Sequence, residues 1–226
     1  MTIPQRALNE IQLVVFDLDG TLVDSKMDLA LSVNAMREQM GLAALPFDVI
    51  ASYVGHGVTT LVRRALEDQA SDENIQKGLA FFLDYYRLHM LDNTTTYPGV
   101  LEALNELGDR KLAVLTNKPV HFSREMLTRL GIAPCFAYIY GGNSFPQKKP
   151  DPVGIRKLTS DLKIPPEKTM IVGDSDTDVL TGRNAGTWTC GVTYGFGAHT
   201  LEDVPPDLLL DDLRDLPPLL DGRQPL

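Results

Sequence analysis

The run Leu13-Val14-Val15-Phe16 is apolar throughout and stops at Asp17-Leu18-Asp19-Gly20-Thr21. A short apolar run bounded by a turn signal reads as a strand buried on both faces, which places it inside a parallel sheet. The carboxyl end of such a strand opens into the crevice where α/β sheets bind ligands. Here that end carries two carboxylates one residue apart. Like charges so close repel, and their burial is costly unless a cation or hydrogen-bond donors compensate. A divalent cation beside a phosphate-like substrate meets that need.

The rest of the chain narrows the class. Its 226 residues suffice for one large domain or a core with a smaller companion. A net charge of −9 argues against a nucleic-acid backbone or an anionic membrane as partner. The two cysteines, Cys135 and Cys190, form no ligand pattern and read as buried apolar thiols in a reducing compartment. Residues 1–10 lack an apolar stretch and do not read as a secretory leader, and no segment approaches the length of a membrane span. A cytoplasmic protein is the expectation.

After the first strand the periodicity turns helical, with helices expected over residues 26–40, 46–53, 56–70 and 73–91. The third is clearest, because Val58, Leu61, Val62, Ala65 and Leu66 share one face. From Tyr97 onward strand and helix alternate. Strands are expected at Lys111–Leu115, 136–140, 169–172 and 187–192, with a short edge strand at Leu208–Leu210. Pro119 suits a first helical position, with Asn117 or Lys118 in the cap region and Gly131 as the stop. Asp151 and Pro152 suit the N-cap and first turn of the next helix. The Pro-rich tail from Pro217 reads as a frayed end. Repeated βα units imply a parallel sheet. The fold class is therefore α/β, a Rossmann-like doubly wound parallel sheet with an inserted α-helical cap. Residues 1–24 and 97–226 are assigned to the core and 25–96 to the cap.

In a parallel sheet the carboxyl ends of all strands share one edge. The first brings Asp17 and Asp19, the second Thr116 and Asn117, and the loop after the third Lys148 and Lys149. The fourth brings Asp174, Ser175 and Asp178. A nucleophilic carboxylate, an acid/base carboxylate, a hydroxyl, an ammonium and a metal-binding acidic pair suit phosphoryl transfer, where positioning and charge neutralisation dominate.

The chain resembles the haloacid dehalogenase superfamily. Phe16-Asp17-Leu18-Asp19-Gly20-Thr21 matches its first motif, Thr116 the second, Lys149 in Lys-Pro-Asp-Pro the third, and Gly173-Asp174-Ser175-Asp176-Thr177-Asp178 the fourth. Asp19 separates the chain from the haloacid-cleaving branch. Asp24-Ser25, Gly55-His56-Gly57, Tyr97-Pro98-Gly99 and Gly191-Val192-Thr193-Tyr194-Gly195 are most similar to the phosphoglycolate phosphatases of that superfamily. The resemblance implies that Asp17 attacks phosphorus and becomes an aspartyl phosphate, while Asp19 protonates the leaving alkoxide and later deprotonates water. It implies Mg²⁺ held by Asp17, Asp174 and the backbone carbonyl of Asp19, with Asp178 supporting it through water. Gly20, Thr116, Asn117 and Lys149 would surround the phosphoryl group. A small phosphorylated metabolite, foremost 2-phosphoglycolate, is the implied substrate.

Plainer readings stand beside these. Ser175 and Asp178 have capping-box spacing, compatible with metal support. Asn117 reads foremost as an N-cap. Lys148, Arg63 and Arg64 read as solvated, and Trp188 as core. His56 opens a helix in the cap, where a substrate carboxylate would be favoured, although an exposed turn histidine fits equally. His89, His121 and His199 lack metal-ligand spacing. The same chemistry on another sugar or acid phosphate, on pyrophosphate, or in a phosphomutase remains open. A phosphoacceptor signalling or binding module is the reading from another class. Hinges are expected at Asp24-Ser25 and over residues 93–97, and the pattern suits a monomer or a homo-oligomer.

Overall fold

The computed structural model describes residues 8–223. The leader reading at residues 1–7 and the last three residues of the tail lie outside them. The chain enters through β1 (Leu13–Phe16), and after a six-residue loop β2 (Val23–Asp24) leads into helices. These are α1 (Lys26–Gln39), α2 (Phe47–Ala51), α3 (Val58–Leu66) and α4 (Asp72–His89). β3 (Thr95–Thr96) returns the chain, pairing antiparallel with β2 through Val23 with Thr96 and Asp24 with Thr95. The expected third helix begins later than its periodicity suggested. Gly55 and Gly57 adopt φ of 104° and 86°, which holds the chain out of helix until Val58.

Beyond β3 come α5 (Val100–Glu106), β4 (Lys111–Leu115), α6 (Val120–Arg129), β5 (Tyr138–Tyr140), α7 (Val153–Leu162), β6 (Thr169–Gly173), α8 (Asp176–Ala185), β7 (Trp188–Val192), β8 (Leu208–Leu210) and α9 (Leu216–Leu220). The six long-range strands form one parallel sheet in the order β5-β4-β1-β6-β7-β8. The order reverses at β1, so the crevice of this fold lies beyond the carboxyl ends of β1, β4 and β6. β1 is central because its four residues are all fully buried. Val14 and Phe16 join the larger core cluster, while Leu13 and Val15 face Ile155 and Leu158 of α7 on the other side.

The helical segment packs through α1 against α4 and α3 against α4. α3 buries Leu61, Val62, Ala65 and Leu66 as its spacing predicted. Buried Arg37 of α1 donates to the carbonyls of Ala43 and Ala65 and pairs with Glu67, tying α1 to the end of α3. At the base of the segment, the buried carboxylate of Asp28 accepts hydrogen bonds from Asn93 and Thr94, just before β3.

Three local expectations need correction. The described part of the tail from Pro217 is not frayed: Leu216, Pro217, Pro218 and Leu220 are buried in α9, and Arg110 donates to Leu220 O at 2.9 Å. Apolar side chains at 213, 216 and 220 outweigh the proline content. Pro152, not Asp151, stands at the N-cap of α7, although Asp151 Oδ1 still accepts from Val153 N at 2.9 Å. Trp188 is only half-buried against the core and donates to Glu167 O. Cys190 is buried, Cys135 is half-buried, and both are free thiols. No described helix is long and apolar enough to cross a membrane.

Candidate functional site

Asp17 follows β1 directly, and its amide donates to Val172 O of β6, which fixes the carboxylate at the sheet edge. The side chain is buried beside the Lys149 ammonium, with Nζ 2.9 Å from Asp17 Oδ1. The same ammonium also pairs with Asp178, so Asp17 shares its one cationic partner with a second carboxylate. Burial drives the Asp17 pKa up to about 6. Lys149 opposes that shift and the nearby charge of Asp178 adds to it.

Asp174 and Asp178 come from β6 and the start of α8. Ligand oxygens of Asp17, Asp174 and Asp178 all lie within 4.8 Å of one another, and all three residues are buried. Burial, followed by the charges of Asp178 and Asp17, raises the Asp174 pKa well above the ordinary carboxylate value. Gly197 N donates to Asp174 Oδ2 at 2.9 Å. Asp174 lies under two glycines. A Cβ on Gly20 would sit 2.2 Å from its Oδ2, and one on Gly195 would sit 2.2 Å from its Cβ. Gly20, expected near substrate, thus makes room for a carboxylate. Three crowded, buried acidic groups offset by a single ammonium are a donor set that fits a hard divalent cation.

Asp178 is fully engaged. Lys149 Nζ donates to its Oδ1 at 2.6 Å, and Ser175 N and Oγ donate to its Oδ2 at 3.2 and 2.7 Å. The capping box is present at the start of α8. Lys149 therefore stands between Asp17 and Asp178. Burial lowers its proton affinity, but the two carboxylates outweigh burial and keep it protonated.

Asp19 takes a different environment. Ser25 Oγ donates to its Oδ1 at 2.5 Å, and Lys118 Nζ donates to Oδ1 and Oδ2 at 2.9 and 3.1 Å. Lys118 also donates to the Tyr86 hydroxyl at 2.7 Å. Thr116 is buried at the end of β4, and its hydroxyl accepts from Lys118 N at 3.3 Å.

Asn117 does not cap α6, where Pro119 holds the N-cap position. Its amide Nδ2 donates to Gly55 O and Lys149 O at 2.8 and 3.1 Å, and its Oδ1 accepts from Lys149 N at 2.9 Å. It therefore fixes the Lys149 loop and ties the helical segment to the sheet edge. Lys148 is exposed, as are Arg63, Arg64 and His56.

A cavity of about 50 Å³ lies between sheet edge and helices, with Asp17, Asp19, Thr116 and Lys118 on one side. Gly55, Gly57, Val58, Leu61, Phe82 and Tyr86 face them from the helical segment. His56 is not part of this lining, because Gly55 and Gly57 present backbone to the cavity while the imidazole points to solvent. Lys118 and Tyr86 are the functional candidates that sequence reading passed over. Lys118 was legible only as a charge two residues after Thr116. Tyr86 was legible as a phenol on the buried stripe Ile75, Gly78, Phe82 and Tyr86 of α4.

Comparisons with known proteins converge. The profile of the haloacid dehalogenase-like hydrolases matches residues 14–192. The phosphoglycolate phosphatase of Neisseria meningitidis is 40% identical over 97% of this chain and 96% of its own length. That of Neisseria gonorrhoeae is 39% identical over 97% and 96%. The crystal structure of a predicted phosphoglycolate phosphatase from Haemophilus somnus superposes with a TM-score of 0.88 at 32% identity, covering 92% of this chain and 96% of the other.

Proposed function

This chain belongs to the haloacid dehalogenase-like hydrolase family, and from that premise we propose that it is a magnesium-dependent phosphatase hydrolysing 2-phosphoglycolate to glycolate and phosphate. The observation that carries the reading is the pairing of Asp17, buried against the Lys149 ammonium, with Asp19 two residues on at the cavity wall. The two carboxylates leave one strand end into different environments, which suits them to different tasks.

A carboxylate oxygen of Asp17 attacks phosphorus, and the bond from phosphorus to the ester oxygen breaks. Asp19 gives its proton to the departing alkoxide, yielding glycolate and a phosphorylated Asp17. Asp19 then takes a proton from water as that water attacks phosphorus, releasing phosphate and restoring Asp17. Lys149 balances charge between Asp17 and the phosphoryl oxygens. The Thr116 hydroxyl and the amides near Asn117 hold those oxygens, with Gly20 leaving room for Asp174. Asp17, Asp174 and the Asp19 carbonyl would hold Mg²⁺, with Asp178 acting from behind. The cation, when bound, neutralises charge on the phosphoryl group.

Residues 25–96 serve as a cap and residues 1–24 with 97–226 as the catalytic core, the cap hinging at β2 and β3. Closure of the cap excludes water from the reacting atoms. Tyr86 and the backbone at Gly55 and Gly57, rather than the His56 side chain, supply the cap's contribution. Both cysteines are free thiols, which fits a cytoplasmic enzyme acting on a small metabolite.

Phosphate release from a panel of small phosphomonoesters and pyrophosphate, with and without Mg²⁺, tests the reading. Cation-dependent turnover concentrated on 2-phosphoglycolate supports it. A profile led by another ester discards the substrate, and no turnover on any ester discards the phosphatase.

A further inference from the structure

Lys118 is buried at 7% exposure, immediately beyond Thr116 and Asn117. Its Nζ directs its donors at both oxygens of Asp19 and at the Tyr86 hydroxyl. Burial works against the charge, but Asp19 and Tyr86 raise the proton affinity and keep the ammonium charged. Among the described residues lining the cavity, Lys118 carries the only positive charge. The side chains that face it from the helical segment are apolar except for Tyr86; they include Leu29, Val58, Leu61 and Phe82.

We infer that Lys118 anchors a carboxylate on the leaving group and thereby selects phosphomonoesters of short hydroxy acids. The inference rests on the phosphatase reading above and names the residue that sets its specificity. Asp19 touches the ester oxygen when it delivers its proton, and Lys118 Nζ lies within 3.1 Å of both Asp19 oxygens. In a glycolate leaving group only two bonds separate the ester oxygen from the carboxyl carbon. The carboxylate therefore falls within reach of the ammonium that already touches Asp19. An ammonium has three donors. The incoming carboxylate takes over one of the contacts with Asp19, while Tyr86 holds Nζ in place. A sugar leaving group has no comparable partner, because its hydroxyls would be pressed against Leu29, Val58, Leu61 and Phe82 without hydrogen bonds.

The test compares 2-phosphoglycolate, 2-hydroxyethyl phosphate and ethyl phosphate as substrates of the wild type, Lys118→Met and Lys118→Arg. The wild type is expected to prefer the carboxylated ester. Lys118→Met should reduce kcat/KM for 2-phosphoglycolate, relative to ethyl phosphate, by roughly 10- to 100-fold, the loss of a hydrogen bond to a charged group. KM should carry most of that change, and Lys118→Arg should recover part of it. Equal losses on both esters would mean that Lys118 acts only on Asp19, which overturns this inference and leaves the phosphatase intact. A wild type that turns over the three esters equally also overturns it, and that comparison needs no variant to fold. Absence of wild-type turnover on every ester instead overturns the phosphatase reading on which the inference stands.

Discussion

The Asp28 carboxylate holds Thr94 twice, accepting from its amide at 2.8 Å and from its hydroxyl at 2.7 Å, across 66 residues of chain. Asn93 adds its amide, at 3.1 and 3.0 Å to the two oxygens, and its side-chain nitrogen at 2.8 Å. The first turn of α1 is thus fastened to the segment that returns through β3.

Replacing Asp28 with alanine leaves buried donors at residues 93 and 94 without their acceptor. Unfolding free energy should fall by about 3 kcal/mol, lowering Tm by roughly 10 °C. Thermal unfolding of Asp28→Ala checks this, and a Tm matching that of the wild type would show that the clamp contributes nothing.

Asp17→Asn should reduce kcat at least ~10³-fold, because the amide is no longer a nucleophile. The substitution also removes a like charge beside Asp174 and Asp178, so the metal-free variant should melt no lower than the wild type. Phosphate release and thermal unfolding report the two effects separately. Retained turnover would eliminate the covalent route.

The metal-free protein should lose stability as pH rises. The Asp17 pKa is raised to about 6, and that of Asp174 is raised well above the carboxylate norm. In the window between the unfolded and folded pKa values, the native state holds protons that the unfolded chain has released. For Asp17 that contribution is complete below pH about 4 and disappears as pH passes about 6, on the order of 3 kcal/mol, and Asp174 adds to it in the same direction. Mg²⁺ should offset the repulsion that remains at neutral pH. Tm measured in chelator and in Mg²⁺ at pH about 5 and about 7.5 tests the coupling. A cation effect no larger at the higher pH would contradict it.

Gly195→Ala places a methyl group 2.2 Å from Asp174 Cβ and 2.3 Å from Gly20 O. The carboxylate must shift, so the Mg²⁺ concentration giving half-maximal activity should rise by at least about tenfold, with a stability loss of about 1–3 kcal/mol. Titration of activity with Mg²⁺ decides the matter. An unchanged midpoint would show that Asp174 has freedom the packing does not suggest.

The parts of this molecule legible in its sequence are those encoded locally. β1 announced itself by four apolar residues, and the strand-end carboxylates by their placement after apolar runs. The face of α3 followed from the spacing of Leu61, Val62, Ala65 and Leu66. What escaped depends on contacts between distant segments. Lys118 looked like helix-cap punctuation because its partners, Asp19 and Tyr86, lie 99 and 32 residues away. Asn117 read as a cap because local geometry allowed it, yet the backbone of Gly55 and Lys149 offered better partners. The tail read as loose because prolines break helices internally, whereas here they occupy the first turn of α9.

The placement of β1 at the middle of the sheet also orders events during synthesis. Its two neighbours are β4 and β6, so Leu13 must wait for Lys111 on one side and for Thr169 on the other. The helices between residues 26 and 89 close through nearer neighbours and leave the ribosome before either strand. The nascent chain therefore carries a collapsed helical bundle and an unpaired hydrophobic strand at the same time. Its vulnerable period lasts until β6 emerges, when the strand that leads into Asp17 acquires its second neighbour and Asp17 is first enclosed.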